Sequence, residues 1–408
     1  MREVEVHRAI EAVARAEYGR LLAYLSSEFR DVDDAEDALG EALLAALTLW
    51  PKDGVPRQPG AWLLTVAQHR LVDRARRARV RHEHADALRL LAAESTNTAT
   101  AGETFPDRRV ELMFACAHPA IDRALHAPLM LQTVLGLDAA RIAQAFLISP
   151  ATMGQRLVRA KRKIREAGIP FQVPTASELA PRLEAVLEAI YGAFGLGRDE
   201  MAGADARVKD LMDEALWLAR VVRERMPDEP EVRGLLALML FCVARRDAQN
   251  SPDGRYVPLS EQDPAIWSSV AIQEAESELT EATRFGRIGR FQLEAAIQSV
   301  HADRAHTGRT DWAAIVVFYD HLVRIAPTLG ARVAQAAALA EASGPEKGLS
   351  VLDAIDVSAV ANYQPYWAVR AHLLRSLDRA IEAEAASDRA IGLTEDPAVR
   401  RFLLDRRS

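Results

Sequence analysis

Apolar residues return every three or four positions along most of this chain, as in Leu21, Leu22 and Leu25, and again in Leu39, Ala42, Leu43, Ala46 and Leu47. No segment sustains a two-residue alternation, so the pattern predicts an all-α protein. Further along, Leu63, Leu64, Ala67, Leu71 and Ala75 predict a helix whose apolar stripe runs beside a polar face. Stretches rich in Pro, Gly or small polar residues interrupt the periodicity at 51–60, 92–106, 168–181 and 250–264. The expected organisation is a helical unit over 1–85, a flexible linker over 86–106, a small basic unit over 107–170 and a long helical region over 171–408.

Composition narrows the function classes. The 408 residues are 49% hydrophobic and 27% charged, as in ordinary water-soluble proteins. Cys116 and Cys242 lie far apart, which argues against a disulfide framework and for a reducing compartment. The longest apolar run, Gly234 to Ala244, is about half the roughly 20 residues that cross a bilayer, and no basic segment followed by an apolar core opens the chain. A cytoplasmic protein with no membrane contact is expected.

Charge becomes informative when divided along the chain. Residues 1–65 hold 7 basic against 12 acidic side chains, 66–170 hold 17 against 10, and 171–408 hold 27 against 36, giving −5, +7 and −9. A basic section inside an acidic chain points to a local polyanion contact. Its cations collect on two segments. Arg70, Arg74, Arg77 and Arg81 follow one another at helical spacing, a track suited to phosphates. Arg156, Arg159, Lys161, Arg162, Lys163 and Arg165 crowd the second, where Ser149 and Pro150 supply an N-cap and a first helical residue. Ahead of it, Ala139, Ile142, Ala143 and Phe146 form the apolar face of another short helix, so the two make a helix-turn-helix. In that arrangement Thr152, Gln155, Arg156 and Arg159 reach base edges, while Lys161, Arg162, Lys163 and Arg165 meet phosphates. Trp62 reads as a core residue ahead of a stacking platform. Asp33, Asp34, Glu36, Asp37 and Glu41 stud an otherwise apolar helix; acids repel DNA, so they are expected to face a protein with a basic surface.

DVDDAEDALGEALLAAL, PGAWLLTVAQHRLVDRARR and DAARIAQAFLISPATMGQRLVRAKRKIRE, in this order, resemble an extracytoplasmic-function sigma factor of bacterial RNA polymerase. The resemblance implies roles for residues 1–170. The acidic helix would dock on the polymerase clamp. Trp62, His69, Arg70, Asp73, Arg74, Arg77 and Arg81, with the Pro51–Gly60 loop, would recognise and melt the minus-10 element, holding a flipped base. Thr152, Gln155, Arg156, Arg159, Lys161, Arg162 and Lys163 would recognise the minus-35 element beside the polymerase flap. The polar linker from Ala92 to Pro106 would thread the RNA exit path as an extended segment.

The remaining region has its own pattern. Trp367, Ala371, Leu374, Ala383 and Ala390 match tetratricopeptide offsets of 4, 3, 9 and 7, and Tyr319, Leu352 and Ala386 recur at 33 and 34 residues. GRFQLEAAIQSVHADRA, TDWAAIVVFYDHL and EQDPAIW are similar to the subgroup of these sigma factors with a C-terminal tetratricopeptide-like extension. In its long loop, Asp253, Gly254 and Arg255 could pin the loop to the sigma domains through the Arg255 fork, or form a plain turn. The acidic extension is also expected to contact the basic sigma domains intramolecularly.

Enzymatic readings find little. Cys116 and His118 lack a second ligand pair at zinc spacing, so no metal is expected, and no phosphate loop or nucleophile elbow calls for a cofactor. His301 and His306 are expected to cap a helix or lie on the surface. Two other readings compete with the sigma factor: a helix-turn-helix regulator with a repeat-type sensor, and a peptide-binding repeat scaffold. Neither accounts for the acidic helix and the arginine track together.

Overall fold

The computed structural model describes residues 2–81, 106–146, 148–200, 206–251, 253–394 and 396–407. Most of the expected linker, residues 86–105, lies outside them. Among the described residues the chain is all-α, with no strand beyond an isolated bridge between Asn250 and Tyr256.

The first helices follow from their stripes. Helix α1 (Arg2–Phe29), α2 (Val32–Asp53) and α3 (Pro59–Arg81) pack on one another around Leu21, Leu22, Leu25, Leu39, Ala42, Trp50, Leu63, Ala67 and Leu71. Asp31 starts α2 by accepting the Asp34 N–H at 3.1 Å. Gly54, at φ +90°, ends it where a side chain would be strained. The expected loop from Pro51 to Gly60 is shorter than its prolines suggested. Pro51 sits inside the last turn of α2, and Pro59 opens α3, where its missing N–H is harmless.

The next helices complete a compact unit, Met1–Ala193. Helices α4 (Arg109–Cys116) and α5 (His126–Thr133) pack on α1. The approach is close enough that a Cβ on Gly19 would collide with the Val134 carbonyl. Helix α6 (Ala139–Ala145) packs on α7 (Pro150–Glu166), and α7 in turn touches α2. Ser149 caps α7 by accepting the Thr152 N–H, as its sequence predicts. Phe146 departs from the expected apolar face, lying past the end of α6 and 40% exposed. Helix α8 (Ala176–Glu200) carries the chain through the division between units, which falls at Ala193 rather than at the helix break near 170.

The second unit, Phe194–Ser408, is built from successive helices. They are α9 (Ala206–Arg225), α10 (Pro230–Ala244), α11 (Ser269–Thr283), α12 (Arg290–Ala302), α13 (Arg304–Thr307), α14 (Trp312–Ile325), α15 (Leu329–Ser343), α16 (Pro345–Asp353), α17 (Val357–Val360), α18 (Gln364–Ser376), α19 (Ala380–Gly392) and α20 (Pro397–Asp405). The long apolar run is α10, buried against α11 and α12. Ala371, Leu374, Ala383 and Leu352 share a core against which Trp367 packs, its indole N–H donating to Val360 O at 3.0 Å. At Gly348 a Cβ would lie 2.6 Å from Ala336 O, so the lack of a side chain sets the α15–α16 crossing.

Candidate nucleic-acid interface

Burial of Leu63, Ala67 and Leu71 turns the opposite face of α3 outward, with His69, Arg70 and Asp73 exposed. Trp62 is half-buried and meets Trp50 edge-on, with ring centroids 5.4 Å apart. Arg74 does not stand free for phosphates. It reaches Glu41 at 2.6 Å, Asp37 at 3.3 Å and Asp34 at 3.7 Å, and Arg70 lies 3.4 Å from Glu41. The hydrogen bond to Glu41, ahead of the charges around it, holds the Arg74 guanidinium above its usual range. The side chains of Arg77 and Arg81 lie outside the described residues.

Helix α7 divides its polar residues. Thr152, Gln155, Arg156, Arg159, Arg162 and Lys163 are exposed, and Arg162 sits 3.6 Å from Glu166 one turn on. The Thr152 hydroxyl is held by Ser149 Oγ at 2.7 Å, within the cap. Lys161, expected as a phosphate contact, is instead held against α2. Its side chain is only 7% exposed, it donates to Glu36, and Asp33 lies 3.8 Å away. Spacing explains this: Met153, Leu157, Ala160 and Ile164 form the buried face of α7, and Lys161 falls on it, one turn after Leu157. Arg165 likewise reaches Asp31 at 3.4 Å. That carboxylate raises the proton affinity of Arg165.

The acids of α2 are thus shared between two neighbouring helices: Asp34, Asp37 and Glu41 meet α3, and Asp33 and Glu36 meet α7. Glu36 also accepts the Tyr18 hydroxyl at 3.1 Å, and burial, reinforced by that carboxylate, pushes the phenol well above its ordinary range. Burial raises Asp33, with Lys161 opposing the shift, and burial then Asp31 raise Asp34. Beyond Glu41, α2 turns apolar and uncovered. Leu44 is 65% exposed, and with Ala45, Thr48, Leu49, Glu41 and Arg70 it lines an open groove of about 440 Å³.

Residues 13–81, the helices that carry this groove and the arginine track, match Sigma-70 region 2. An uncharacterized protein of Rhizobium meliloti (strain 1021) is 36% identical over 389 residues, covering 94% of this chain and 91% of that protein. The chain belongs to the same family as that protein. Its region 2 supports a sigma factor of the sigma-70 family. Residues 182–283 match a family of unknown function, DUF6596. No solved structure matches the chain.

Arg255, Cys116 and His301, also singled out in the sequence, each meet a residue close by in the chain. Arg255 donates to Asp253 at 2.7 Å, inside its own turn; Ser251 Oγ donates to Asp253 at 2.5 Å, and Gly254 takes φ +78°. Cys116 is buried beside Thr133 at 3.6 Å, and burial pushes its thiol up to about 12, as a core cysteine would behave. His301 is not a surface or capping residue: its ring is half-buried and meets Trp312 edge-on at 5.4 Å. Tyr18 and Asp31, which the sequence pattern did not single out, both contribute to the charged seam. Asp31 was readable as an N-cap before an acidic first turn, whereas nothing local marked Tyr18. No helix among the described residues is long and apolar enough to cross a membrane.

Proposed function

We propose that this chain is an alternative sigma factor of the extracytoplasmic-function type, a cytoplasmic binding subunit with no catalysis of its own. It docks on core RNA polymerase through α2, melts the minus-10 element with α3, reads the minus-35 element with the exposed face of α7, and carries a tetratricopeptide-like extension that regulates activity or assembly. One observation carries the reading: within a sigma-70 region 2, Asp37 and Glu41 remain 71% and 41% exposed at the head of an uncovered strip of Leu44, Leu47 and Leu49. Half-exposed acids bordering uncovered leucines suit a protein partner with basic and apolar groups, not a nucleic acid.

The α7 residues divide accordingly. Thr152, Gln155, Arg156 and Arg159 are the base-reading set, and Arg162 and Lys163 the phosphate set, while Lys161 and Arg165 reach phosphate only when α7 leaves the carboxylates of α2. Run-off transcription with purified core polymerase and a genomic promoter library tests this function. Transcripts from a defined promoter class are expected, and Arg156→Ala should weaken minus-35 discrimination by about 1–3 kcal/mol. Sequence-specific DNA binding with no polymerase-dependent transcript would replace the sigma factor with an ordinary helix-turn-helix regulator.

A further inference from the structure

The carboxylates from Asp31 to Glu41 hold cations from both basic helices of the first unit. On one side, Arg74 reaches Glu41 at 2.6 Å, Asp37 at 3.3 Å and Asp34 at 3.7 Å, and Arg70 lies 3.4 Å from Glu41. On the other, Lys161 donates to Glu36 with Asp33 3.8 Å away, and Arg165 lies 3.4 Å from Asp31. A single acidic row therefore occupies cations of α3 and of α7 at once, and these are the two helices whose spacing marks them for phosphate.

A cation held this way is not available to a phosphate. A duplex laid against α7 at Lys161 or Arg165 would also bring its phosphates beside Asp31, Asp33 and Glu36, which repel them. The acids themselves remain within reach of another molecule. Lys161 is buried, yet Glu36 and Asp33 keep 26% and 29% of their side chains in water, and Asp34 and Asp37, which face Arg74, are more than half exposed. An arriving cation therefore meets the carboxylates before it meets the cations they hold. Ion pairs open to water contribute little each, so exchanging one cation for another at this row costs little.

We propose that α2 is an electrostatic latch: in the free chain its carboxylates occupy Arg70, Arg74, Lys161 and Arg165 and keep DNA off α3 and α7, and a cationic surface of core RNA polymerase, docking on the same carboxylates, releases the four for phosphate. The identity of the releasing partner rests on the sigma-factor reading, whereas the masking of the cations rests on the ion pairs alone. The latch makes polymerase the first partner and DNA the second. Because the two share one set of charges, each raises the affinity for the other.

The test is fluorescence anisotropy of a labelled random-sequence duplex with the full chain and no polymerase, over a series of salt concentrations. Glu36→Gln keeps an acceptor for the Tyr18 hydroxyl but removes the charge that holds Lys161. It should bind the duplex about ten-fold tighter at low salt, with a slope of log affinity against log salt steeper by about 0.9 for the one cation freed. Glu41→Gln should do the same through Arg74. Glu11→Gln removes an equal charge from an exposed position of α1 outside the row, and should stay within about two-fold of the parent. Adding Lys161→Met to Glu36→Gln should return the affinity to that of the parent, and thermal unfolding verifies that each variant is folded. Unchanged binding in both Glu36→Gln and Glu41→Gln would overturn the latch. So would a gain that survives Lys161→Met, because lost repulsion alone would then draw the DNA. Failure here leaves polymerase-dependent transcripts untouched, whereas a gain through Lys161 with no such transcripts would overturn release by polymerase and leave the masking in place.

Discussion

Lys161 and Arg74 each reach carboxylates of α2, whereas Arg245 and Arg304 share a corner with an indole, an imidazole and backbone carbonyls. Both groups draw cations from helices that the sequence separates widely, and both remove them partly from water. In the first, acids offset the desolvation, and the charges join α2 to α3 and α7 with nothing further required. In the second, no acid acts on Arg304 or His301, and desolvation is met only by dipoles. A paired cluster behaves as a fastener between helices, while a cation met only by carbonyls holds a loop in place.

Breaking the first group should produce the largest effect. Glu36→Ala deprives Lys161 of its nearest carboxylate and the Tyr18 hydroxyl of its acceptor, so we expect a loss of about 3 kcal/mol in denaturant unfolding of the first unit. Adding Lys161→Met should restore most of it, because the stranded ammonium goes too. A cost below about 0.5 kcal/mol for Glu36→Ala would mean that the acids of α2 do not fasten α7. Arg74→Ala should cost less, about 1 kcal/mol and falling with salt, because its partners are 41–71% exposed. A loss as large as that for Glu36→Ala would show α3 and α7 to be held alike.

Acidification separates the groups by sign. His301, held near 4 in the folded chain and near 6.5 when unfolded, adds stability that is present above about pH 6.5 and lost as pH falls through about 4. Asp33 runs the other way. Its folded carboxyl is raised, so its contribution is present below the ordinary carboxylate range and lost as pH rises through the raised value. Melting temperatures between pH 7 and 4 should therefore fall less steeply in His301→Gln than in the parent, and more steeply in Asp33→Asn. Parallel curves for all three proteins would remove both titrations from the comparison.

Much of the first unit was legible locally. The stripes of α1, α2 and α3, the Ser149 cap and the core role of Trp62 follow from residues within a few turns of one another. Lys161 was legible in principle, since it shares the spacing of Leu157 and Ile164, but its cationic neighbours drew it into the phosphate set. Phe146 failed because α6 ends a residue too soon to turn it inward. His301 failed because its burial depends on Trp312, across a helix boundary.

By itself the sequence determined the helices, their caps, the apolar faces and the resemblance that placed region 2 at its start. These depend on contacts three or four residues apart, which the periodicity records directly. Only the tertiary structure decided which charges meet. Lys161 and Glu36 are 125 residues apart, Arg74 and Glu41 33 apart, and Arg304 meets the carbonyl of Gln262 from 42 residues away. A side chain's charge is written in the sequence, but its partner and its exposure are set by how helices pack, and those two quantities decide whether a cation fastens the fold or receives a ligand.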